Sequence, residues 1–207
     1  MRPYRIAVPD ADLAALRARL HHTRWPEAET ADGWAQGVPL AYLRDLCAYW
    51  ADGYDWRATE ARVNAWPQVM VDVDGLGIHV LHARSPHPDA LALVLTHGWP
   101  GSLVEFLDLL GPLTDPVAHG GEASDAFHVV VPSLPGYGFS DKPAATGWGV
   151  ERIAAAWAEL MARLGYTRYG AAGSDWGTTI STLLGRHDRA HVAGILVVPP
   201  LAAPDPA

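Results

Sequence analysis

The run Gly173-Ser174-Asp175-Trp176-Gly177 places a carboxylate between small residues, where a G-x-S-x-G elbow carries a nucleophilic serine. Such an elbow is a sharp strand-to-helix turn that exposes one side chain at the top of a parallel sheet, and glycines let the flanking backbones approach. An aspartate, with a reference pKa of about 3.9, is ionised at neutral pH and attacks without first giving a proton to a base. That chemistry suits displacement at saturated carbon bearing a leaving oxygen or halide. The product is an alkyl ester, which water must cleave at the aspartate's own carbonyl carbon, with an oxyanion hole and a base. An aspartate ahead of a helix is also a common N-cap, so residue type alone leaves both readings open.

A second motif narrows the choice. Leu91-Ala92-Leu93-Val94-Leu95-Thr96 is an apolar run suited to a strand buried on both faces, and it stops at His97-Gly98-Trp99-Pro100-Gly101-Ser102. Leu103, Phe106, Leu107 and Leu110 then recur at helical spacing behind Ser102 as a candidate N-cap. The Trp99 backbone N–H is one candidate oxyanion donor, and the Trp176 N–H, just after the nucleophile, is the other. Gly98, Pro100, Gly173 and Gly177 shape the two turns. A third turn, Pro135-Gly136-Tyr137-Gly138-Phe139-Ser140-Asp141-Lys142-Pro143, follows the candidate strand 127–132. Its glycines lack the spacing of a dinucleotide fingerprint.

The positioning elements read as α/β. The elbow needs a strand over 169–172 and a helix over 178–184. Residues 69–73 and 78–82, joined through Asp74-Gly75-Leu76-Gly77, give a hairpin signal, and strands then alternate with helices, including a helix over 150–164 and a strand over 192–198. The first third is helical and rich in aromatics: Asp10 caps a helix striped by Leu13, Leu16 and Leu20, and Leu40, Leu43, Leu46 or Cys47, and Trp50 repeat the pattern as core. Trp25, Trp34 and Trp56 are read as packing residues.

Composition excludes more than it specifies. With 207 residues, 49% of them hydrophobic, the chain can bury one substantial core, and a formal charge of -8 argues against nucleic acid. Cys47 stands alone, which rules out an intrachain disulfide and fits a reducing, cytoplasmic setting. No apolar run reaches the roughly 18 residues of a membrane helix, and Met1-Arg2-Pro3-Tyr4-Arg5 is not the start of a signal peptide. Adjacent His21-His22 and the absence of Cys/His ligand spacing give no metal site.

Together these motifs resemble the epoxide hydrolases of the α/β-hydrolase superfamily, in the branch of the microsomal and juvenile-hormone enzymes. The elbow, the His-Gly-Trp-Pro-Gly-Ser turn and the Gly-Tyr-Gly-Phe-Ser loop match in order and spacing. So do Val8-Pro9-Asp10, Thr23-Arg24-Trp25-Pro26, Tyr54-Asp55-Trp56-Arg57, Asn64 and Pro67-Gln68. The resemblance implies a helical N-terminal segment over 1–68 and, over 69–207, the first half of a hydrolase core: a mostly parallel sheet with flanking helices. It implies Asp175 as nucleophile, Trp99 and Trp176 as backbone oxyanion donors, and the side chains of Trp99, Trp176 and Tyr137 as walls for a small lipophilic epoxide. No cofactor, nucleic acid or membrane anchor is implied. The cap with its ring-opening tyrosines, the acidic partner and the histidine base would follow the strand over 192–198. They are expected outside this chain, with Pro199 to Ala207 as a proline-rich exit.

None of the chain's own histidines fits the base. His187 lies twelve positions after Asp175, about 18 Å along a continuous helix. His128 starts a strand at the end away from the expected site, His119 falls in a glycine-rich loop, and His79 and His82 belong to the hairpin. His97 is close, but its ring is expected to bond nearby backbone. Two alternatives stand beside epoxide hydrolysis: a haloalkane dehalogenase, which commonly has Asn where Trp99 stands, and an inactive fragment that pairs with a complementary chain or self-associates through its open sheet edge and uncovered apolar faces.

Overall fold

In a computed structural model, residues 1–199 of the chain are described. They divide into two compact units, one made of Ile6–Arg62 and the other of Met1–Arg5 with the chain from Val63 onward. The stretch from Pro200, most of the expected proline-rich exit, lies outside the described residues.

The first unit is helical. Helix α1 (Asp10–His21) starts behind Pro9, which holds the N-cap position with φ -57° and ψ 142°. The expected capping role of Asp10 is thus corrected: it stands inside the first turn, and its carboxylate pairs with Arg57. Leu13, Leu16 and Leu20 are half-buried, as the stripe predicts. Helix α2 (Leu40–Ala48) runs into a π-helical turn, Tyr49–Gly53, and helix α3 spans Trp56–Asn64. Leu46 and Trp50, read from sequence as core, are 46% and 47% exposed. They line an apolar groove of about 430 Å³ with Leu16, Tyr49, Tyr54 and Trp56. Arg44 lies over the Trp25 ring, and Trp34 packs edge-on against Tyr42 while remaining exposed.

The second unit is a seven-stranded sheet. Its strands are β1 (Arg2–Pro3), β2 (Gln68–Val73), β3 (Leu76–Ala83), β4 (Leu91–Thr96), β5 (Phe127–Pro132), β6 (Tyr169–Ser174) and β7 (Val192–Val198), in the order β1-β2-β3-β5-β4-β6-β7. The short β1 falls in the stretch read as helical because two residues carry no strand periodicity of their own; it pairs with Val69 and Met70. The β2–β3 turn is tighter than the four residues expected. Asp74 (φ 52°) and Gly75 (φ 73°) alone form it, and positive φ at both positions is the signature of the primed turn that matches strand twist.

From β3 to β5 the pairing is antiparallel, and β5, β4, β6 and β7 are parallel neighbours. The helical run after β4 divides into a 3₁₀ turn, Leu103–Phe106, and α4 (Leu107–Thr114), while α5 (Val150–Arg163) and α6 (Trp176–His187) precede and follow β6. Val94, Val130 and Ala171 join the core cluster with Trp157, Leu160, Met161, Ile180 and Leu184 of α5 and α6. The alternate residues Leu95, Val129, Val131 and Ala172 are also buried, and because strand side chains alternate they serve the other face, where α4 packs on β5. Burial on both faces explains why these strands read as continuous apolar runs. Strand β7 is an edge, with Leu196 68% and Val198 61% exposed. Among the described residues no helix is long and apolar enough to cross a membrane.

Candidate active site

The strand order reverses at β4: β5 lies on one side of it and β6 on the other. In open α/β sheets such a switch point leaves a crevice beyond the carboxyl ends of the strands, and the two chemical motifs emerge there. Thr96 pairs in register with Gly173, so the turn after β4 and the turn after β6 begin side by side.

Close approach, more than sequence pattern, brings the motifs together. A Cβ added at Gly98 would lie 2.4 Å from both the Cβ and the Oδ1 of Asp175, and one at Gly177 would lie 2.0 Å from the Thr96 carbonyl oxygen. Gly173 and Gly177 are equally tight on each other, a Cβ at the first meeting backbone of the second at 2.6 Å. Only glycine permits these spacings. Asp175 occupies the apex with φ 52° and ψ -120°, a left-handed conformation rare outside glycine and a local source of strain. Its side chain makes no cap bond to α6, so the N-cap alternative for its carboxylate is not realised.

The carboxylate faces the other turn. The Trp99 N–H donates to Asp175 Oδ1 at 2.8 Å, and the Trp99–Pro100 peptide is cis. The Trp99 N–H first, and the Trp176 N–H second, hold the Asp175 carboxyl below its usual range, because donors that bond the ionised form favour it. Asp175 is exposed, and the indoles beside it are 68% (Trp99) and 49% (Trp176) exposed.

His97 is fully buried, with both ring nitrogens committed to backbone. Nε2 accepts from the Leu134 N–H at 3.1 Å, which leaves the proton on Nδ1 to be donated to the Gly98 carbonyl at 3.0 Å. Burial lowers its pKa, so the neutral ring persists as a strut between the β4 turn and the β5 turn. Tyr137 is half-buried, its ring 5.5 Å from that of His97, packed against the core. The remaining histidines lie elsewhere. His187 ends α6, and His128 sits at the amino end of β5, accepting from the Ser85 N–H at 3.0 Å. His119 ends a 3₁₀ turn, Pro116–His119, where a loop was expected. His79 is buried between Ser133 and Gln68.

Two features were not singled out from sequence. Trp157 donates its Nε1–H to Thr96 Oγ1 at 3.1 Å, tying α5 to the last residue of β4. Glu105 reaches back over the His97–Ser102 turn, so that a Cβ on Gly101 would meet its Oε2 at 2.5 Å. The spacing Ser102-x-x-Glu105 is a capping-box signature and was the available signal for it. Ser102 does cap, its Oγ accepting from the Val104 N–H at 3.3 Å.

This sheet order, with an elbow after β6 facing a turn after β4, is an α/β-hydrolase fold. Residues 92–206 match the family described as "alpha/beta hydrolase fold", and residues 1–106 match "Epoxide hydrolase N terminus". The chain belongs to the epoxide hydrolase family. A curated relative from Stigmatella aurantiaca, provisionally named an epoxide hydrolase, is 57% identical over 98% of this chain and 46% of its own length. "Epoxide hydrolase 1" of Sus scrofa is 32% identical over 94% of this chain and 44% of its own length. The solved "Structure of Aspergillus niger epoxide hydrolase" superposes with a TM-score of 0.87 at 32% identity, covering 99% of this chain and 54% of that one. The chain thus spans about half the length of the curated relatives it matches.

Proposed function

We propose that this chain carries the nucleophilic half of an epoxide hydrolase site, with Asp175 as nucleophile and the Trp99 and Trp176 N–H groups as its oxyanion hole. The observation that carries the reading is the 2.8 Å bond from the Trp99 N–H to Asp175 Oδ1 at a left-handed elbow. The Trp99 N–H engages Oδ1, and we take Oδ2 as the attacking atom. Oδ2 forms a bond to an epoxide carbon, the ring C–O bond breaks, and its electron pair passes to the ring oxygen, which takes up a proton. Water then adds to Cγ and gives one proton to a base; negative charge collects on Oδ1, where the Trp99 N–H already points, and the Cγ–Oδ2 bond breaks. Oδ2 leaves on the substrate carbon and takes that proton back, while the water oxygen stays in the carboxylate and its second proton replaces the one taken up by the ring oxygen. The products are a vicinal diol and the restored carboxylate.

The donors lower the Asp175 pKa and so keep it ionised, at some cost in nucleophilicity; they act most strongly on the tetrahedral intermediate. The exposed indoles of Trp99 and Trp176 present apolar surface beside the carboxylate, which suits a small lipophilic epoxide, and Tyr137, half-buried against the core and the His97 ring, is assigned as a further wall by the family resemblance. With the ring nitrogens of His97 occupied by Leu134 and Gly98, the hydrolytic base is assigned to the part of the longer relatives that this chain does not span.

Intact-mass spectrometry of the chain with styrene oxide, alongside Asp175→Asn and with diol measured in the same tubes, tests the reading. An adduct that maps to Asp175, or diol formation abolished by the substitution, is the expected result. An adduct on another residue, or diol formation that survives Asp175→Asn, refutes it. Lasting adduct without diol places the base outside this chain, whereas diol from the wild-type chain alone places it inside.

A further inference from the structure

The turn after β4 carries a second carboxylate stacked toward the first. Asp175 lies against Gly98, where a Cβ would meet its Oδ1 at 2.4 Å and its Cγ at 2.8 Å. Gly98 in turn lies beneath Gly101, where a Cβ would meet the Gly98 carbonyl oxygen at 3.3 Å, and Glu105 Oε2 covers Gly101 at 2.5 Å from the same point. Two side-chain-free residues thus separate the carboxyl groups, and no cation intervenes in this stack. On the elements packed against the 3₁₀ turn of Glu105, the titratable side chains are Asp108 of α4 and His128 of β5. We propose that Glu105 is part of the site and acts through Asp175 by charge, raising the energy of the free carboxylate relative to its ester.

Alkylation removes the negative charge of Asp175, so an ionised Glu105 nearby is relieved of repulsion as the C–Oδ2 bond forms. The same charge opposes the oxyanion that develops in the hydrolytic half. Glu105 therefore favours attack and resists ester cleavage, a differential effect between states rather than uniform binding. The two groups titrate in order. Asp175 ionises first, held low by the Trp99 and Trp176 N–H groups, and Glu105 ionises afterwards in its field; burial first, and the Asp175 charge second, raise the Glu105 pKa. The coupling is visible on Glu105, because Glu105 is still neutral when Asp175 loses its proton.

The consequence for rate rests on Asp175 being the nucleophile, but the coupling itself does not. Carboxyl ¹³C NMR titration of Glu105 in the wild-type chain and in Asp175→Asn separates the two, and Asn is among the residues that tolerate positive φ. The Glu105 midpoint is expected to fall by at least about 0.3 pH unit in Asp175→Asn at low salt, and this difference to shrink towards zero at about 1 M salt as the charge is screened. An unchanged midpoint overturns the proposal. So does a difference that survives high salt, which marks a rearranged turn instead of a field. In the styrene oxide reaction, Glu105→Gln is expected to slow adduct formation and to remove the part of its pH dependence that follows the Glu105 titration. Equal adduct rates and pH profiles in the two chains overturn the rate consequence. Absence of adduct from the wild-type chain, with the titration difference intact, counts against the nucleophile reading and leaves the coupling standing.

Discussion

Gly177→Ala sets two physical effects of opposite sign against each other. Residue 177 is the second residue of α6, where alanine is favoured over glycine by up to about 1 kcal/mol on helix propensity. Packing predicts the reverse. The new methyl would sit 2.0 Å from the Thr96 carbonyl oxygen and 2.8 Å from its carbon, both backbone atoms of β4, and Cβ atoms essentially never approach heavy atoms closer than 3.0 Å. Helix α6 must therefore withdraw from the strand by about 1 Å. Ile180 and Leu184, both fully buried on the sheet-facing side of α6, withdraw with it. Each side chain makes about 50 heavy-atom contacts worth about 0.15 kcal/mol apiece, and a gap of that size forfeits roughly a quarter to a half of each contact. If half of them face the sheet, the loss for the pair is about 2–4 kcal/mol, which exceeds the propensity gain and agrees with the general cost of overpacking. Set against the propensity gain, the net loss is about 1–3 kcal/mol, and at roughly 2–4 °C per kcal/mol for a chain of this size Gly177→Ala lowers the melting temperature by about 2–12 °C in a circular-dichroism melt. Gly194 in β7 is the control, because a Cβ there meets nothing within 4 Å, and Gly194→Ala should melt within a degree or two of wild type. A Gly177→Ala chain that melts at or above the wild-type temperature refutes the close-contact argument.

Two further expectations concern the core beneath the site. Burial lowers the His79 pKa to about 4 from 6.5, so the folded chain keeps this ring neutral while the unfolded chain protonates it. Its contribution is fully present above pH 6.5 and is lost as pH falls through about 4, a change on the order of 3 kcal/mol. Urea midpoints at pH 7 and 4.5 should therefore differ less in His79→Gln than in wild type, and equal differences would falsify the assignment. Trp157→Phe removes the donor to Thr96 Oγ1, which lies at zero exposure, and should cost about 1–3 kcal/mol in urea denaturation; a change under 0.5 kcal/mol contradicts the bond.

Much of the sheet was legible because its inner strands are buried on both faces. The inner runs 91–96 and 127–132 are strands with the bounds read from sequence, and so is 192–198, which is an exposed edge strand and was legible from its unbroken apolar, β-branched run alone. The turns after β4 and β6 were legible for a different reason: their glycines answer to contacts within 3 Å, and such contacts admit no other residue. The helical first unit was the least legible. Leu46 and Trp50 keep the helical period of a core face yet line an open groove, because periodicity reports which residues share a face and not what covers that face. Glu105 was overlooked for a related reason. Its place in the sequence marks a helix start, but its carboxylate bends over Gly101, and only the three-dimensional stack of Gly101, Gly98 and Asp175 gives it a partner.

The strain at Asp175 links the fold to the site. A non-glycine residue at φ 52° costs on the order of 1–3 kcal/mol and persists only where its surroundings fix it. Here the fixing groups are countable. The Thr178 N–H donates to the Asp175 carbonyl at 3.0 Å, Thr178 Oγ1 donates to the Gly173 and Val198 carbonyls at 3.2 and 2.9 Å, and Gly177 is pressed on Thr96. Strands β4, β6 and β7 therefore all contribute backbone atoms to holding one turn. The Trp99 N–H meets the side chain rather than the backbone of Asp175, so it orients the carboxylate without relieving the strain. Any change that lets α6 drift from β4 consequently loosens the elbow before it reaches the Trp99 bond. The glycine contacts that hold the helix against the sheet are the same ones that place the carboxylate beside its donors.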